Sequence, residues 1–138
     1  MIRLPARAAR AVRRLTPRPR PLDRRGEERA ARFLRRRGWR ILERNAVAGR
    51  FEADLVVLDR RGTLVIVEVK TRRRAEPPPE AAVGPRKQTQ LSRFAALYLQ
   101  RHPEHAARAV RFDVIGVVWP DDARPTFRHH AHAFETRL

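Results

Sequence analysis

Apolar and polar positions change rhythm several times along the chain, and each change marks an element. Between Asp23 and Gly38 the apolar residues Ala30, Ala31, Phe33 and Leu34 fall on one helical stripe, while Arg29, Arg32, Arg35, Arg36 and Arg37 cover the other faces. This predicts a helix with Asp23 as N-cap, Glu27 in its first turns and Gly38 just past its end. Trp39 to Glu43 reads as a strand and Asn45 to Gly49 as a turn. Two β-like stretches follow, Glu52 to Leu58 and Leu64 to Lys70, joined by the polar loop around Asp59, Arg60, Arg61 and Gly62. Pro77, Pro78 and Pro79 make the segment from Arg72 to Pro79 an irregular loop. Pro85 opens a second helix with Lys87, Leu91, Phe94, Ala95 and Tyr98 on one face, ending near His102-Pro103. Val110 to Trp119 is a further strand, stopped by Pro120, and the tail from Thr126 is either an edge strand or irregular. The order helix, three strands, helix, strand predicts an α/β fold with a central mixed sheet flanked by helices. Phe112 and Val114 face one side of the last long strand and Asp113, Ile115 and Val117 the other, so both sheet faces should be covered.

Composition adds an arm and a class of partner. Residues 1–22 hold seven Arg, four Pro and no acid, a composition that cannot bury a core and reads as a disordered basic arm with general affinity for phosphates. The rest, 23–138, is the size of one domain. The formal net charge is +17 and the pI about 11.9, which favours a polyanionic partner over a basic or neutral substrate, with nucleic acid first. The absence of Cys excludes disulfides, a thiolate nucleophile and zinc-thiolate sites, and fits a cytoplasmic location. No run approaches the ~18 apolar residues of a membrane span, so no membrane insertion is expected. Thirty of the cations are Arg; only Lys70 and Lys87 are Lys. Lys is a compact charge of tunable proton affinity, whereas Arg stays a protonated fork. Both Lys are therefore candidate site residues.

Strand alternation then assembles a site. Glu52 and Asp54 share a face, as do Glu68 and Lys70, and Leu64 and Ile66 lead directly into Glu68 where another apolar residue would be expected. A carboxylate buried there needs a cation beside it. A five-residue loop from Asp59 to Thr63 opposes Leu58 with Leu64, and the same register opposes Asp54 with Glu68 and Glu52 with Lys70. A four-residue loop would separate the pairs unless a bulge restored the phase. Clustered carboxylates with no sulfur or imidazole suit Mg²⁺ or Mn²⁺. A Lys beside them can orient a water and offset phosphate charge, which phosphodiester hydrolysis requires. Arg72, Arg73 and Arg74 follow Lys70 directly and are expected to line the phosphate path.

These residues resemble the bipartite PD-(D/E)-x-K signature of restriction-endonuclease-like nucleases, with Asp54 and Glu68-Val69-Lys70 as its two parts and Ala53 in place of the Pro. More narrowly, Gly26-Glu27, Phe51-Glu52-Ala53-Asp54-Leu55, Val67-Glu68-Val69-Lys70-Thr71-Arg72, Lys87-Gln88 and Arg111-Phe112-Asp113-Val114 resemble, in order, the YraN family of predicted nucleases. The resemblance runs from about Gly26 to Val118 and more weakly to Ala133-Phe134. One position departs: the family has Gly before the strand's Glu, where this chain has Phe51, which bears on substrate entry and strand geometry. The resemblance implies a restriction-endonuclease-like core, Asp54 and Glu68 as metal ligands, and Lys70 as the water-positioning or charge-stabilising residue. It also implies Glu27 as an acidic addition to the metal site, with help from Glu52, and Lys87 or Gln88 approaching the phosphate from the second helix.

Plainer readings compete. Glu27 can serve the helix dipole, Lys87 can be a surface residue, and Asp113 is expected to pair structurally with an Arg. His102, His105, His129, His130 and His132 read as surface histidines, the last three lacking acidic support, and Trp39 and Trp119 as packing residues. The leading function is a metal-dependent nuclease acting on DNA rather than RNA, with branched or structured forms as candidate substrates. The alternative is a nucleic-acid-binding protein that keeps the fold without hydrolysis. A basic ribosome- or membrane-associated structural factor ranks third, because it leaves the acid and Lys cluster unexplained. Symmetric cutting of two strands would call for a homodimer.

Overall fold

The described chain begins with helix α1 (Pro21–Arg36). The computed structural model describes residues 21–138. Most of the expected arm lies outside the described residues, and its last two positions, Pro21 and Leu22, belong to α1. Asp23 consequently sits in the first turn, complementing the helix dipole, and does not cap the helix. At the other end Gly38 takes φ 84°, and the Gly38 and Trp39 N–H groups donate to the carbonyls of Arg35 and Leu34 at 2.9 and 3.1 Å. That is a glycine-terminated helix end.

The chain continues through β1 (Arg40–Ala48), β2 (Phe51–Leu58), β3 (Leu64–Arg72), α2 (Pro85–Arg101), β4 (Val110–Val118) and β5 (Thr126–Phe134). The sheet order is β1-β2-β3-β4-β5. All neighbours are antiparallel except β3 and β4, which run parallel because α2 carries the chain back across the sheet. Two cores result. Val56, Leu58, Leu64, Ile66 and Phe112 pack on Leu91, Phe94 and Tyr98 of α2. Leu55, Val57, Val65, Val67, Ile115 and Val117 pack on Ala30, Ala31 and Leu34 of α1. Both faces are covered, and the tail is a strand. Among the described residues no helix is long and apolar enough to cross a membrane.

Two local differences from the sequence expectation shape the site. First, β1 continues through the expected turn, because Ala46 and Ala48 are buried and pair with Ala53 and Phe51; the chain reverses at Gly49, φ 61°. Second, the segment before α2 contains a short 3₁₀ turn, Pro79–Ala82. It lays Glu80 over Gly116, where any Cβ would overlap the Glu80 carboxylate.

Candidate active site

The site begins where the β2–β3 ladder ends. Pairing runs from Leu58 opposite Leu64 to Leu55 opposite Val67, the register of a five-residue loop, and is not continued to Asp54. Instead the Asp54 side chain takes the place of a backbone partner, its Oδ2 accepting the Val69 N–H at 2.8 Å. On the other edge, the β1–β2 pairing passes from Arg44–Leu55 to Ala46–Ala53, skipping Asn45 and Asp54, and Asn45 adopts φ 48°. Ala53 and Val56 are three apart yet both belong to the α2-side core, so the alternation of β2 slips around Asp54. The slip turns Asp54 towards β3. Glu52 does not go with it: it is exposed, pairs with Val47 rather than Lys70, and lines a neighbouring cavity together with Phe51.

Glu68 occupies the position beyond Leu64 and Ile66 on the α2-side face of β3 and is 3% exposed. Both lysines of the chain converge on one of its oxygens. Lys70 Nζ lies 3.5 Å and Lys87 Nζ 3.3 Å from Glu68 Oε2. Its other oxygen, Oε1, is buried without a hydrogen-bond partner among the described residues. Leaving such an atom unpaired is costly, since the lost water is not replaced.

Glu27 comes from α1. Gly26 lets that helix press onto β3, because a Cβ there would overlap the Thr71 side chain. The next residue is thereby buried with its Oε1 also unpartnered. Burial, and then the charges of Asp23 and Glu68, push the Glu27 carboxyl up to about 7. Asp54 is raised well above the usual carboxylate range by burial and by the charges of Glu68 and Glu27, against the opposing pull of the Val69 N–H. Glu27, Asp54 and Glu68 thus feel one another as like charges in a partly dry setting.

Among the described residues no three Asp, Glu, His or Cys side chains close into a metal cage. An incomplete, all-oxygen set with orphaned carboxylate oxygens fits Mg²⁺ or Mn²⁺. Such cations commonly take one or two carboxylates, keep several waters and share phosphate oxygens with the substrate.

The remaining expected site residues fall at different distances from this centre. Gln88 donates Nε2–H to the Val83 carbonyl at 3.1 Å and so secures the start of α2. Arg72 donates to the Thr71 carbonyl, and Arg73 reaches the Trp119 carbonyl at 3.2 Å and Asp121 at 3.4 Å. Together with Arg74 they border a cavity of about 520 Å³ against Pro77 to Pro79, beyond the end of β3.

Sequence reasoning missed Glu80, Arg128 and His130. Glu68, Val114 and His130 form one row across the sheet, and Lys70, Gly116 and Arg128 the next. Glu80 sits over Gly116 with Oε1 unpartnered among the described residues, its Oε2 2.7 Å from His130 Nε2 and 3.9 Å from Arg128. Hydrogen bonding within its own turn and to His130 outweighs burial and lowers its proton affinity. Only Gly116, a glycine inside an apolar strand, hinted at a close approach there.

The histidine expectation needs correction. His129 is buried against Asp113 (2.7 Å), His130 pairs with Glu80, and His132 lies 2.7 Å from Glu135, so all three have acidic partners. The β5 strand supplies them by bringing the tail back over the sheet. Asp113 pairs with Arg111 as expected, through two hydrogen bonds of 2.8 and 3.2 Å.

Comparison with known proteins adds a family. Residues 26–117 match the family described as "Uncharacterised protein family UPF0102". A UPF0102 protein of Trichlorobacter lovleyi is 44% identical over 111 residues, covering 80% of this chain and 87% of that one. One of Pelobacter propionicus is 46% identical over 113 residues, 80% of each chain. One of Chlorobium phaeobacteroides is 41% identical over 124 residues, 86% of this chain and 97% of that one. A solved structure of Pyrococcus furiosus SfsA in complex with Ca²⁺ is similar over 73% of this chain and 58% of that one, at 12% identity and a TM-score of 0.33, too loose a superposition to bear on the site.

Proposed function

The chain belongs to the uncharacterised protein family UPF0102, the YraN family, and from its site we propose a divalent-cation-dependent nuclease that hydrolyses phosphodiester bonds in DNA. One observation carries this reading. A chain that writes thirty cations as Arg places its two Lys on a single oxygen of a buried carboxylate, beside two further carboxylates whose proton affinity is raised.

Asp54 and Glu68 would hold Mg²⁺ or Mn²⁺, with Glu27 contributing from α1. A cation bound there would polarise the phosphoryl oxygen and make water a better nucleophile. Lys70, 3.5 Å from Glu68, would orient the attacking water. Lys87, one-third exposed, would meet the phosphate and offset the charge that grows on it. Glu68 keeps both ammonium groups in place until a phosphate competes for them. Arg72, Arg73 and Arg74 extend the basic surface beyond β3, as charge that draws DNA to the site.

Incubation of the purified protein with labelled linear, single-stranded and branched DNA in Mg²⁺, Mn²⁺ or EDTA tests this reading. Cleavage should require the cation and fall about 100-fold or more in Glu68→Ala and Lys70→Ala. Absence of cleavage in every cation would leave DNA binding without hydrolysis, and unchanged cleavage in both variants would show that Glu68 and Lys70 do not carry it.

A further inference from the structure

Next to the carboxylates lies a cavity that the nuclease reading does not use. It is about 660 Å³ and is lined by Arg50, Phe51, Glu52, Arg86, Lys87 and Arg93, among others. Lys87 belongs to both places, since it lines this cavity and contacts Glu68 Oε2 at 3.3 Å. The cavity and the proposed reaction centre therefore meet at Lys87. Its walls are the β1–β2 turn on one side and successive turns of α2 on the other, which place Arg86 and Arg93 in a row along the helix.

Phe51 sits at the join. It is half-buried, braced against the α2-side core, and the Arg50 guanidinium lies 5.4 Å from its ring centroid. A ring held this way is already a stacking surface, and its present occupant is a planar cation. A cationic groove with an aromatic platform is how proteins hold unpaired nucleotides: the cations follow the phosphates and the ring takes the face of a base. A duplex cannot use such a platform, because its bases already stack on one another and show only their edges.

We propose that this cavity is a single-strand groove in which Phe51 stacks an unpaired DNA base while Arg86 and Arg93 hold the flanking phosphates, leading the strand past Lys87 to Glu68. The inference rests on the nuclease reading for its direction and refines it. The substrate class becomes DNA with unpaired nucleotides, such as a flap, a frayed end or a branch arm, and Phe51 becomes a specificity residue of this chain.

The test measures binding with EDTA present, so that it does not depend on cleavage. The probe is a twelve-nucleotide single strand carrying one 2-aminopurine, compared with the blunt duplex of the same length. The protein should bind the single strand at least about tenfold more tightly and quench the fluorescent base. Phe51→Ala should lose the quench and about 5- to 100-fold in single-strand affinity, with duplex affinity held within about twofold. Phe51→Leu keeps the apolar bulk and should also lose the quench, which separates stacking from a folding defect. Arg86→Ala and Arg93→Ala should each reduce the salt slope of single-strand binding by about 0.7. Wild-type quench and affinity in Phe51→Leu, or preference for the duplex, would overturn the groove. Because the reading is binding alone, a protein that never cuts can still support the groove. Conversely, one that cuts duplex with Phe51 immaterial overturns the groove and leaves the nuclease.

Discussion

Two charged clusters lie on adjacent rungs of the β3–β4 ladder and are built in opposite ways. Asp113 stands opposite Val67 on the α1 side, while Glu68 stands opposite Val114 on the α2 side. Around Asp113 every demand is met. Arg111 grips both of its oxygens, and the His132 N–H and His129 add bonds of 3.0 and 2.7 Å. Arg111 also reaches Asp59 at 3.0 Å. Arg37 can only donate to His129 Nδ1, so the opposite nitrogen carries the proton donated to Asp113. Burial would raise the Asp113 carboxyl, and these hydrogen bonds outweigh it, leaving the group below its usual range. Around Glu68 the reverse holds, with the Oε1 atoms of Glu68 and Glu27 unpartnered among the described residues and the Glu27 and Asp54 carboxyls pushed up. The first cluster stabilises the sheet. The second leaves electrostatic demand unmet, which is the pattern the proposed cation site requires.

That contrast can be broken from either side. The largest effect should come from Asp113→Ala, which strands Arg111 and His129. Removing one partner from a buried pair costs about 3–5 kcal/mol, so the melting temperature should fall by roughly 10–20 °C in calorimetry. Because the folded-state affinity of Asp113 for its proton is lowered, this stability is present above pH 3.8 and lost as the pH falls below it. A small effect of Asp113→Ala would remove the distinction between the clusters.

A smaller effect should come from Glu27→Gln. In wild-type protein without divalent cation, folding raises this carboxyl from 4.5 to about 7. The folded state therefore holds a proton that the unfolded chain has released, and stability declines as pH rises across that window. Glu27→Gln should flatten the decline and be at least as stable as wild type at pH 8 in EDTA. A thermal melt series from pH 4 to pH 8 reads this directly, and an unchanged slope would mean that Glu27 is relieved by some other contact. The smallest effect belongs to His132→Ala, since the His132–Glu135 pair is exposed on both sides. Its cost should stay below about 1 kcal/mol, which shows that burial, and not pairing alone, makes the Asp113 cluster matter.

The sequence revealed most of this architecture because the relevant signals are local. Helical spacing in α2 correctly placed Leu91, Phe94, Ala95 and Tyr98 inside, with Lys87 on the same face, where it meets Glu68. Five residues between Leu58 and Leu64 set the hairpin register, and an acid after Leu64 and Ile66 marked Glu68. What was not legible depends on contacts between distant segments or on broken alternation. Period-two reasoning placed Glu52 with Asp54, but the slip at Asp54 separates them. Glu80 lay in a proline-rich stretch with no periodicity, and only the parallel β3–β4 pairing brings it near Lys70. The partners of His129 and His130 come from segments 16 and 50 residues away, beyond the reach of any local pattern.

The central claim is that the Glu27, Asp54 and Glu68 group is an unsatisfied site awaiting a divalent cation. Thermal unfolding of wild type and Glu68→Gln, each with excess Mn²⁺ or with EDTA at pH 8, tests it most directly. A ligand that binds only the folded state at a hundred times its Kd adds about 2.7 kcal/mol. Wild type should therefore melt several degrees higher with Mn²⁺, whereas Glu68→Gln should lose that rise and be no less stable than wild type in EDTA. No rise in wild type, together with a Glu68→Gln protein as damaged as Asp113→Ala, would show that Glu68 is a structural ion-pair partner of Lys70 and Lys87.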